Sequence, residues 1–130
     1  MRLYRPALTL LLLAPGLAAA DASLECNEGT SSQVEIADCM AATEMRVDAA
    51  LETALSFASA SATDLDEVTG REAALPALEA AQAAWVAYRD AQCEFVGATF
   101  GGGSGTGIAI RGCRIELGRA RVTELLAYVQ

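Results

Sequence analysis

Four cysteines, one Trp set beside an Arg–Asp pair, and a surplus of carboxylates are the residues here that could do chemistry. The cysteines are Cys26, Cys39, Cys93 and Cys113, and no two stand in a CxxC. The chain contains no His, so no imidazole is present to act as general base, to complete a triad or to bind a metal. It contains no Lys either, so "GGGSGTG" from Gly101 is not a Walker loop. That segment follows a helical pattern and not a strand, which also removes the dinucleotide reading. "DLDE" at Asp64 to Glu67 lacks the twelve-residue calcium pattern and reads as a solvated turn. Paired carboxylates can hydrolyse a glycoside, yet no pair is singled out among seventeen acids. The residues predict no catalytic group, no metal site and no cofactor. Disulfide formation is the chemistry left to the cysteines, and an oxidising compartment would favour it.

The N-terminus predicts such a compartment. "MRLYRP" is basic, "ALTLLLLAPGLA" is apolar but short, and Ala18 to Ala20 offer small residues before Asp21. Residues 1–20 are therefore expected to be a cleavable signal peptide, and 21–130 the exported domain, periplasmic or secreted. No later stretch reaches eighteen apolar residues, so no membrane span is expected. Without the first twenty residues, seven Arg face seventeen Asp and Glu, a net charge of −10. That charge disfavours nucleic acid and favours a cationic protein as partner.

The elements that must position these residues read as helices. Ser32 followed by Glu35 is a capping-box signature. Ile36, Met40, Thr43, Val47, Leu51, Ala54 and Ala58 then recur at helical spacing, which predicts a first helix over about 32–60. Residues 21–31 read as irregular, and 59–70 as a break. A second helix is expected over about 71–97, with Pro76 either in its first turn or kinking it. The Gly-rich stretch 97–112 predicts a loop, and "GIAI" within it is too short to decide. A third helix is expected over 113–128, burying Ile115, Val122, Leu125, Leu126 and Val129, with Gly118 a modest weakness. The fold class is all-α: a small antiparallel bundle of three helices, or four, stapled by two disulfides. Antiparallel packing gathers all four cysteines at one end. Cys26–Cys39 with Cys93–Cys113 is the preferred pairing, and Cys39–Cys93 with Cys26–Cys113 the alternative.

On the second helix Arg89 falls near the middle of the inward stripe, in line with Trp85 and Val96, while Asp90 and Glu94 point away. A buried Arg needs a carboxylate. Levelling Trp85 with Val47 puts Arg89 beside Glu44, so Glu44, or another acid on a facing helix, is the expected acceptor, with Trp85 stacked on the guanidinium. This is a structural motif that sets helix register. The exposed loop Gly101, Gly102, Gly103, Ser104 is the candidate partner-binding segment.

These elements together resemble the LprI-like family, named for a lysozyme inhibitor. The similarity lies in "EIADC" ending at Cys39, Asp48 with Leu51, "LEAAQAAWVAYRDAQCEF", Gly102-Gly103-Ser104, Cys113, and Arg121 followed by Leu125. It departs at Glu52, Leu55 and Gly118. The resemblance implies an exported, disulfide-stapled helical module that inhibits lysozyme by direct binding, without catalytic residues. The alternative is a non-enzymatic accessory domain of the cell envelope that binds another periplasmic protein.

Overall fold

The computed structural model describes residues 21–29 and 32–129. The expected signal peptide lies outside the described residues. Four helices follow in order: α1 Ala22–Asn27, α2 Gln33–Thr69, α3 Ala74–Ala98 and α4 Thr106–Leu126. The described residues contain no strand. The bundle is all-α, and the disulfides are Cys26–Cys39 and Cys93–Cys113.

Residues 21–31 were expected to be irregular, but α1 forms there. Asp21 caps it by accepting from Ser23 N at 2.8 Å. Ala22 and Cys26, one turn apart, are buried against Met40 and Ile115. Tertiary burial and the Cys26–Cys39 staple hold six residues that would not stay helical alone.

The N-cap half of the expected capping box is present at the start of α2: Glu35 N donates to Ser32 Oγ at 3.3 Å, and that hydroxyl donates to Glu35 Oε2 at 3.2 Å. The expected break at 59–70 is not. α2 continues for 37 residues to Thr69 and ends on Gly70 at φ 65°. Thr63 and Thr69 bond back to the carbonyls of Ser59 and Leu65, so their hydroxyls do not compete with the helix. Only Gly70, in the left-handed region, ends it.

Asp66, read as part of a solvated turn, lies within α2 and caps the next helix. Its carboxylate accepts from Ala73 N at 3.1 Å, Ala74 N at 2.8 Å and Leu75 N at 3.0 Å. The fourth position is Pro76, which has no N–H to satisfy. Pro76 therefore sits in the first turn of α3 and does not kink it.

The second loop is also shorter than expected. α4 begins at Thr106, so "GIAI" and Arg111 are helical. Gly97 allows α3 and α4 to meet closely, since a Cβ there would lie 2.5 Å from Ile110 Cγ1. α4 packs against each of the other three helices. One core cluster joins Ala22, Cys26, Met40 and Ile115 at the disulfide end. The other joins Leu51, Ala54, Ala58 and Leu125. On α2 the expected stripe is inward. On α4, Leu126 is exposed, as is Val129 beyond its end, and the buried positions are Ile115, Gly118, Arg121 and Leu125.

Candidate functional site

Charge sorting inside the bundle begins with Trp85. Two guanidinium groups lie over its ring, with Arg89 Cζ at 5.3 Å and Arg121 Cζ at 5.9 Å from the centroid. Arg89 Nη1 donates to Asp48 Oδ1 at 2.8 Å. The acceptor is thus Asp48 and not Glu44, one helical turn further along α2. Glu44 is instead under α4, where it takes Arg111 Nη1 at 2.6 Å and Arg114 Nη1 at 3.7 Å. The reason is that α4 starts at Thr106, before Arg111, and so brings Arg111 onto Glu44.

Arg121 is 7% exposed, with Nε on Gln82 Oε1 at 3.1 Å and Nη1 on Glu124 Oε2 at 2.8 Å. Asp90 and Glu94 are exposed, as their wheel positions require, yet they lean on Arg114 at 3.7 and 3.6 Å. The α4 arginine thereby bridges α2 and α3. Arg119 binds Glu25 with both nitrogens, at 3.0 and 2.7 Å, and so ties α1 to α4. That bidentate hydrogen bond holds the Glu25 carboxyl below the usual carboxylate range and raises Arg119.

Two residues that the sequence reading undervalued set this geometry. Gly118 is buried, and a Cβ there would lie 2.5 Å from Val47 Cγ1 and 3.8 Å from Arg89 Nη1. It lets α4 approach α2 at the level of the Arg89 pair. Asp48 lies four residues beyond Glu44, on the same helix face, and that spacing was the signal for it.

The Gly-rich turn is exposed at the disulfide end. Gly101 and Gly102 have φ 63° and 79°, so Gly suits both positions. Beside it runs a groove of about 680 Å³, lined among others by Leu24, Tyr88, Val96, Phe100 and Ile108. A second groove, of about 510 Å³, lies at the opposite end between α2, α3 and Tyr128. None of the four cysteines is free. Among the described residues, no cluster of His, Cys, Asp and Glu is placed to hold a metal ion. No helix among them is long and apolar enough to cross a membrane. The arrangement is one of fixed internal ion pairs and open apolar grooves, which suits binding.

The family model for lysozyme inhibitor LprI matches residues 25–125. The chain belongs to the LprI family. The LprI match takes in both disulfides, the Trp85–Arg89 segment and the Gly-rich turn. Within this similarity, an uncharacterized protein of Rhizobium meliloti (strain 1021) is 38% identical over 131 aligned residues, covering 96% of this chain and 94% of the relative. No solved structure matches the chain significantly.

Proposed function

We propose that this LprI-family chain is an exported, non-enzymatic module that binds a cationic protein and inhibits lysozyme by occupying its surface. The carrying observation is where the charges lie. Five of the seven Arg in residues 21–130 (Arg89, Arg111, Arg114, Arg119 and Arg121) form ion pairs with acids of this same chain. The surplus carboxylates, Asp64, Glu67, Glu72 and Glu79 among them, are exposed. An outward field of one sign steers an oppositely charged partner, and lysozymes are commonly cationic. The family's name supports the same target. The two disulfides support export to an oxidising periplasm or medium.

The test is inhibition of a panel of lysozyme types by the purified, disulfide-intact protein at low and moderate salt. Dose-dependent inhibition of one type is expected. No effect on any type at micromolar concentration would reject this function. An accessory envelope role is the second reading, favoured by the larger groove with its exposed Leu24, Tyr88 and Phe100. Recovery of one envelope protein in cross-linking, with no lysozyme inhibited, would select it.

A further inference from the structure

The end of the bundle opposite the disulfides is left open by unequal helix lengths. α4 closes at Leu126, and its last buried residue, Leu125, packs on Leu51, Ala54 and Ala58. α2 continues to Thr69 and turns back into α3. Beyond Ala58 the inner face of this hairpin becomes one wall of the 510 Å³ groove. Ala58, Leu65 and Val68 line it from α2, Leu78 from α3 and Tyr128 from the chain end. Val68 is 87% exposed, Tyr128 66% and Leu65 54%. Exposed apolar side chains gathered around one concavity are a usual mark of a binding surface.

Charge identifies the occupant. Asp64 lines the groove itself. Residues 58–79 contain Asp64, Asp66, Glu67, Glu72 and Glu79 against Arg71 alone. Among the described residues no ion pair joins any of these acids to an Arg, whereas of the two acids lining the larger groove, Asp21 and Glu116, the second pairs with Arg119. The distal groove is therefore apolar within and net negative around its rim.

We propose that the α2–α3 tip groove is the surface that docks the cationic protein partner, receiving an apolar side chain flanked by Lys or Arg. The apolar floor supplies the buried anchor, and the rim acids select the charge beside it. The proposal rests on the binding function given above and moves the contact from the Gly-rich turn to the far end of the molecule.

The test is calorimetric titration of the disulfide-intact protein with a lysozyme from the panel that it inhibits. Leu65→Ser with Val68→Ser removes the anchor. Asp64→Asn with Glu67→Gln and Glu79→Gln removes the rim charge. Ser104→Ala and Phe100→Ala probe the other end. These side chains are all exposed, and melting curves check that each variant is folded. Each tip variant is expected to weaken binding about tenfold or more, the charge variant chiefly at low salt. The Ser104 and Phe100 variants are expected to stay within about twofold of the parent. Tip variants that bind like the parent would overturn the proposal. If the parent binds no lysozyme, the function above falls separately, and a synthetic amphipathic Lys/Leu peptide becomes the probe. Amide shifts confined to residues 58–79 and Tyr128 would then support the groove; shifts elsewhere, or none, would reject it.

Discussion

Gly118 is the residue on which the helix packing turns. Gly→Ala in a helix interior normally gains about 1 kcal/mol. Here the new methyl would sit 2.5 Å from Val47 Cγ1, on a stiff β-branched side chain. Overpacking costs about 1–3 kcal/mol, so Gly118→Ala should be net destabilising. In a Val47→Ala background the clash is gone, and Gly118→Ala should become neutral or stabilising. Urea unfolding of the four proteins measures this sign reversal. Glu44 makes a second case. It is 8% exposed and accepts from Arg111 while facing Arg114. Glu44→Ala should cost about 2 kcal/mol, and Glu44→Gln less, because the amide keeps the shape and one acceptor. Denaturant midpoints at constant slope would check both.

The elements are held at their ends. Asp66 takes three backbone N–H groups of the α3 start, led by Ala74, and these hold its carboxyl below the ordinary value of 3.8. A carboxyl with a folded pKa below its unfolded one binds fewer protons in the native state. Its contribution is present above 3.8 and fades as pH falls through the lowered folded value. The melting temperature of the parent should therefore drop across that acid window more steeply than that of Asp66→Ala, which starts lower at neutral pH. Equal slopes would show that Asp66 contributes nothing through its charge. At the other end, Cys93–Cys113 closes a separation of 20 residues. Replacing both cysteines by Ser should cost about 3 kcal/mol in global unfolding, by the chain-entropy argument. α2 teaches the main lesson about elements. Its small, acidic second half resembles a break in the sequence, yet it is one continuous helix, because nothing in it before Gly70 forbids helical backbone.

At the scale of the whole molecule five of the seven Arg in residues 21–130 are held in ion pairs with the chain's own acids, and most of the acids are exposed. If that field steers the partner, the association rate with a cationic lysozyme should fall as salt rises past the point where the Debye length is about 10 Å. The dissociation rate should change little, because the buried anchor sets it. Stopped-flow mixing at several salt concentrations separates the two. Salt-independent association would remove steering while leaving docking intact.

Much of this was legible from local pattern. Helical spacing showed the α2 core face, the wheel placed Trp85 and Arg89 inward, and Ser32 with Glu35 marked the α2 start. The cysteine pairing preferred on sequence is the one present. These depend on residue type and periodicity, which are properties of the chain alone. Tertiary structure decided what lies across a gap in sequence. Arg89 chose Asp48 because α4 starts early and claims Glu44 for Arg111 and Arg114. α1 is a helix because Cys26 and Glu25 are held from outside it. The tip groove exists because α2 and α3 outrun α4, a difference of lengths that appears only when the helices are laid side by side.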